Sequence, residues 1–162
     1  MTIDYPGKVT TIVGYFTSAN TTTASPDLSS GMTTRVKSVV ADEMSIQGVR
    51  GDLSPKLFVS INRASEEETQ IGEFTNRKKE KLVTYDVEGV YRKSGFSQTH
   101  ADHLPDFYRF AQNVEQVIKT NISFDADIIH VSVVDTEFKA EQPDNTQFKV
   151  FRIGLEVRYF YS

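Results

Sequence analysis

Hydrophobic and polar positions alternate most cleanly near the C-terminal end of the chain. Phe151, Ile153, Leu155, Val157, Tyr159 and Tyr161 share one side of an extended segment, with Arg152, Glu156 and Arg158 on the other. That period of two predicts a long, half-buried antiparallel strand. Val83, Tyr85, Val87 and Tyr91 repeat the pattern against Asp86, Glu88 and Arg92, and Ile129, Val131 and Val133 repeat it against His130 and Ser132. Leu57 to Ile61 reads as a short, largely buried strand after a turn at Asp52 to Pro55. A different period appears between Asp102 and Thr120. There Leu104, Phe107, Tyr108, Ala111, Val114 and Ile118 form one helical stripe, with Asp102 as N-cap and Pro105 in the first turn. Asn121 is suited to close this helix, and a polar turn at Gln142 to Asn145 precedes the last strand.

The N-terminal part is less decisive. Val9, Ile12, Val13 and Phe16 have helical spacing, but Thr10, Thr11 and Gly14 lower helix propensity and leave a strand open. Eleven of the 18 residues from Thr17 to Thr34 are Ser, Thr or Asn, with Pro26 and Gly31 as breakers. Such a run has few apolar groups to offset ordering entropy, so it is expected to be a loop or an arm. It can be a passive connector or a loop that orders on a partner. Strands interrupted by one helix, without strict alternation, indicate an α+β fold. The expectation is a mainly antiparallel β-sheet with one long amphipathic helix packed on one face and a short N-terminal helix.

The chain has 162 residues, enough for one domain spanning 1–162 with a core that needs no staple. Hydrophobic residues make up 38%, lean for a compact monomer but too many for a disordered chain. The net charge of -4 disfavours a strongly basic nucleic-acid binder. The absence of cysteine removes disulfides, thiol nucleophiles, iron–sulfur clusters and cysteine-based zinc sites. No secretory signal or membrane span is expected: residues 1–8 lack an apolar region, and the charge-free run Val9 to Pro26 is too polar.

Candidate chemistry is sparse. His100, Asp102, His103 and Asp106 cluster at the start of the long helix, but a zinc site needs a third or fourth ligand in fixed geometry and no distant partner is identifiable. His130 with Asp125, Asp127 or Asp135 lacks a serine in a nucleophile elbow. Glu66, Glu67 and Glu68, like Asp42 with Glu43, lie in polar sequence that would not desolvate one carboxylate of a pair. No glycine loop suits a phosphate. The reading is therefore no catalytic residue, no metal and no cofactor. Arg77, Lys78, Lys79 and Lys81 form the one basic cluster, which suits a solvated hairpin tip, a protein interface or a phosphate contact.

The order of these pieces resembles the tail terminator (tail completion) proteins of long-tailed bacteriophages. The matching parts are Pro55 to Ile61 as first core strand, a charged loop, Leu82 to Tyr91 as long strand, the helix Leu104 to Thr120, the strand Asp127 to Asp135, and a closing strand ending in Val157, Arg158 and Tyr159. The resemblance covers residues 55–162 and rests on element order. It implies a structural virion protein at the head–tail junction, not an enzyme. Such subunits form a ring, expected to be hexameric, on the end of the tail tube, stop its polymerisation and present a surface to the head-completion proteins. The implied partners are further copies of the chain, the tail tube protein and those head-completion proteins. DNA only passes through a lumen whose negative charge lets it slide. Ring closure needs two different patches per subunit, for which Glu66, Glu67 and Glu68 and the basic residues Arg77, Lys78, Lys79 and Lys81 are candidates. The residues leave open another connector, neck or baseplate protein, or a non-viral soluble binding module.

Overall fold

The computed structural model describes residues 3–45, 54–70, 77–92, 100–120, 127–141 and 148–161. Helix α1 spans Tyr5–Ala19, strand β1 Ser38–Val40, β2 Lys56–Gln70 and β3 Arg77–Arg92. Helix α2 spans His100–Thr120, followed by β4 Ile128–Glu141 and β5 Phe148–Tyr161. Among the described residues the strands form a five-stranded sheet in the order β1-β2-β3-β5-β4. Only the β1–β2 pair is parallel. The chain is therefore an α+β protein with a mostly antiparallel sheet.

Register explains which side is the core. Val59, Val87, Ile153 and Thr136 stand in one row across β2, β3, β5 and β4, and Leu57, Gly89, Phe151 and Phe138 in the next. This side of the sheet buries Leu57, Val59, Val83, Tyr85, Val87, Tyr91, Phe151, Ile153, Leu155, Val157 and Tyr159. Both helices close over it. Helix α1 contributes Ile12 and Phe16, and α2 contributes Phe107, Phe110, Ala111, Val114, Val117 and Ile118. The dominant helix read from the sequence thus has a companion of 15 residues beside its own 21. Asp4 starts α1 by accepting a hydrogen bond from the Gly7 N–H at 3.1 Å, with Pro6 in the first turn. The Tyr15 hydroxyl donates to the Val117 carbonyl of α2 at 3.3 Å.

The long helix begins two residues before Asp102, so Pro105 lies in its second turn. Its buried stripe also differs from the expected one. Leu104 and Tyr108 are 40% and 49% exposed, whereas Phe110 and Val117 are buried. The sheet lies under the 107, 110, 114 and 117 ridge, and Phe110 meets the Phe151 ring edge-to-face at 4.9 Å.

The opposite side of the sheet carries a smaller apolar cluster at one end. Phe58, Val90, Phe148 and Val150 are buried there under Val40 and Met44. Residues 20–35 have no helix or strand, yet they are tied to the core. Leu28 is buried, and the Leu28 N–H donates to Ala19. Asn20 accepts from the Ser29 hydroxyl at 2.6 Å and donates to the Val36 carbonyl at 2.9 Å. Arg35 makes two 2.9 Å hydrogen bonds to Asp27. Asn121 and Gln142 to Asn145 lie outside the described residues.

Candidate assembly surfaces

The acidic and basic clusters sit on a single hairpin. Glu66, Glu67 and Glu68 of β2 occupy the rungs opposite Lys81, Glu80 and Lys79 of β3, and Lys78 and Arg77 continue the ladder opposite Thr69 and Gln70. Strand pairing therefore overrides the weak β-propensity of three consecutive glutamates. The Glu66–Lys81 rung brings opposite charges opposite each other, the arrangement that stabilises cross-strand neighbours. The two clusters thus occupy opposite strands of one hairpin, in register with each other. Lys81 also lies over Tyr5 of α1, 5.4 Å from the ring centroid.

Arg152 organises the side of the sheet away from the helices. Its guanidinium meets Asp86 at 2.9 Å, Asp135 at 3.0 Å and Glu137 at 3.3 Å. Asp86 accepts a further hydrogen bond from Asn62 at 2.9 Å. Gly154 makes the hub possible, because a Cβ there would overlap the Asp135 carboxylate. Glu88 stands between Phe58 and Arg152 in the same layer. Burial and the Asp86 charge push its carboxyl above the usual range, against the opposing pull of Arg152 and Lys139. The Glu80–Arg158 pair, at 3.7 Å, lies further along this side.

The residues weighed for metal or acid–base chemistry are dispersed or already engaged. The Asp106 carboxylate is buried and accepts hydrogen bonds from the Thr33 N–H and hydroxyl and, at 2.8 Å, from the Tyr91 hydroxyl. It pins the polar N-terminal loop to α2 and β3. The side chains of His100, Asp102 and His103 lie outside the described residues, as does Asp125. His130 is exposed on β4, opposite Arg158, while Asp127 pairs with Lys8 at 3.5 Å and Asp135 belongs to the Arg152 hub. Among the described residues no group of three or more His, Asp or Glu side chains is arranged to hold a metal ion. No helix among them is long and apolar enough to cross a membrane.

A further surface escapes the sequence reading. Tyr108 on α2 meets Phe138 on β4 at the edge of the sheet, and Leu104, one helical turn before Tyr108, is exposed as well. The Tyr108 and Phe138 rings are 5.4 Å apart edge-to-face, and Phe107 reaches Phe138 from the core side at 5.9 Å. Phe138 is itself 49% exposed. The signal was present in the alternation of Thr136, Phe138 and Ala140 with Glu137 and Lys139, which extends the strand beyond Asp135. No protein-family model matches this sequence, and no curated protein matches it.

Proposed function

We propose that the protein is a structural subunit of a phage virion, of the tail terminator kind. It forms a ring, of six copies in this reading, that caps the tail tube, ends tail polymerisation and joins the tail to the head-completion proteins, while DNA passes through the lumen. One observation carries the reading: the two edges of the sheet are unlike. One edge is the three-residue parallel strand β1; the other is the fourteen-residue strand β4 with its aromatic flank. A closed ring is built from head-to-tail contacts between two different surfaces of each subunit, and an asymmetric sheet offers such a pair. The element order of residues 55–162 adds support, since the strands and helix follow one another as in that family. The charged β2–β3 hairpin, with Glu66 to Glu68 against Arg77 to Lys81, supplies a polar arm for contacts that must form only on a completed tube.

Complementation of a phage lacking this gene tests the proposal. Filled heads separate from tails, with tails of abnormal length, are the expected phenotype. In a plasmid copy, changing Arg77, Lys78 and Lys79 to Gln removes the positive charge without setting like charges opposite Glu68. This copy should fail to restore joining while the purified variant keeps the wild-type melting temperature within a few degrees. Normal particles without the gene would sink the terminator reading. A defect confined to the distal end of the tail would move the protein to the baseplate.

A further inference from the structure

The first half of β4 is spoiled as an edge. Its register with β5 breaks between Ile128 and His130 and again between Val133 and Asp135, and bulges of this kind discourage a further strand from adding. The second half is regular. From Asp135 opposite Gly154 to Glu141 opposite Phe148 the ladder runs without interruption. Nothing among the described residues pairs with the outer side of this half, so alternate residues present backbone N–H and C=O groups outward. Phe138 on this half and Tyr108 beside it are each 49% exposed, and Leu104, one helical turn from Tyr108, is 40% exposed, so an isolated subunit would leave an aromatic ridge in water.

We propose that this edge is a homotypic interface, in which two copies of the chain join antiparallel through β4 about a two-fold axis at Phe138, making one ten-stranded sheet. The charge pattern of the strand selects a second copy as the occupant. Glu137 and Lys139 flank Phe138 and belong to the side away from the helices, in the rows of Arg152 and Val150. With Phe138 opposite Phe138, Glu137 of each copy meets Lys139 of the other. Lys139 is exposed and makes no ion pair or hydrogen bond among the described residues, so it is available for that contact. Directly opposed residues must share a face, so the axis moves only in whole residues. Centred on Glu137 it would oppose two glutamates; centred on Lys139, two lysines. An axis at Ala140 would also pair unlike charges, Lys139 with Glu141, but only three residues of the strand would then lie opposite one another. Phe138 is the midpoint of the regular ladder from Asp135 to Glu141, so its register pairs all seven and brings Glu137 against Lys139 twice. At the ends of this register Asp135 falls opposite Glu141, and the Arg152 guanidinium, 3.0 Å from Asp135, offsets that repulsion. On the helix side the two Phe138 rings meet, and the Leu104 and Tyr108 ridges face each other. Adjacent strands lie about 4.8 Å apart, so backbone bonds and ring contacts form together.

This dimer goes beyond the ring reading and stands without it. Where both hold, it occupies the β4 edge of the free subunit, so a ring that uses that edge forms only after the pair separates.

Light scattering and cysteine cross-linking of the purified chain test it. The wild type should have twice the 18.3 kDa monomer mass. Because the chain has no cysteine, single variants report cleanly. Phe138→Cys should form a disulfide dimer under mild oxidation, and mixing Glu137→Cys with Lys139→Cys should give the mixed disulfide. Val134→Cys, exposed but outside the register, should not cross-link. Glu137→Lys or Lys139→Glu alone should weaken the dimer by about tenfold or more, and the two together should restore it. A monomer at the highest soluble concentration overturns the proposal, as does a dimer in which neither cysteine set cross-links. A six-fold particle without these cross-links overturns the dimer and leaves the ring standing. A cross-linked dimer from a gene dispensable for head–tail joining removes the ring alone.

Discussion

Gly89 on β3 lies directly opposite Phe151 on β5, and the Phe151 ring fills the space that a side chain at position 89 would need. A Cβ there would overlap the ring and stand 2.9 Å from Phe110. The glycine lets the Phe151 ring lie over position 89 and pack edge-to-face with Phe110. Gly89→Ala should therefore cost about 2–3 kcal/mol, because a close-packed core has no room to move the ring aside. In urea titrations Phe151→Leu should relieve part of that loss, so the double variant is less destabilised than the sum. A fully additive pair would show that the ring is not what Gly89 accommodates.

The two sides of α2 should respond differently to truncation. Val114→Ala or Ile118→Ala, both buried under the sheet, should cost about 2–4 kcal/mol by leaving a cavity. Tyr108→Ala should change the stability of the isolated subunit by about 1 kcal/mol or less, since half of its surface is already in water. Thermal unfolding of the three variants at low protein concentration makes the comparison.

Removing the Asp106 carboxylate should loosen the polar loop before it unfolds the protein. Asp106→Ala leaves the buried Tyr91 hydroxyl and the Thr33 donors without their acceptor, a loss of about 3 kcal/mol. Hydrogen exchange should show lost protection around Thr33 in excess of the global change. Tyr91→Phe, which removes one donor and leaves the rest, should cost less than half as much.

Two carboxylates should give opposite pH signatures. The Arg35 hydrogen bonds hold the Asp27 carboxyl below its ordinary value near 3.8, although burial acts against them. A lowered folded pKa contributes stability above the unfolded value that is lost as pH falls through the folded one. Asp27→Asn should thus cost about 1–2 kcal/mol at neutral pH, with the gap closing in acid. Glu88 runs the other way. Its raised pKa means that stability present below the ordinary value of 4.5 is lost as pH rises through the folded value. Glu88→Gln should match or exceed the wild type at neutral pH, and the difference should vanish in acid. Denaturation measured across that pH range distinguishes the two.

Local pattern carried much of the fold. The alternation through Phe151, Ile153, Leu155, Val157 and Tyr159 identifies the buried side of β5, and Val83, Tyr85 and Val87 do the same for β3. Those positions face a single environment, so polarity reports burial directly. Other features depend on distant partners. Glu66 to Glu68 look like loop sequence until β3 stands opposite. The three residues of β1 are strand only because Lys56 to Phe58 run beside them. The Ser- and Thr-rich segment looks unanchored because its anchors, Asp106, Asn113 and Arg109, lie more than 70 residues further along the chain. The aromatic ridge was hidden for a related reason: Leu104 and Tyr108 fit the helical stripe, and only the position of the sheet edge leaves them outside the core.

Placing β5 between β3 and β4 has a consequence for the order in which the chain can fold. Among the described residues β5 is the last element in the sequence, yet it pairs with β3 from Phe148 to Tyr161 and with β4 from Phe148 to Tyr159. Until it arrives, β4 has no strand to pair with and β3 presents Val83, Tyr85 and Val87 along an open edge. Helix α2 likewise lacks Phe151 and the rest of its floor. The nascent chain therefore cannot bank a finished half-domain; it must keep a sticky edge out of contact with other chains until the final strand slots in. Truncation before Phe148 should accordingly yield aggregate instead of a smaller folded protein, and the same step is where a chaperone holding the growing chain has the most to prevent.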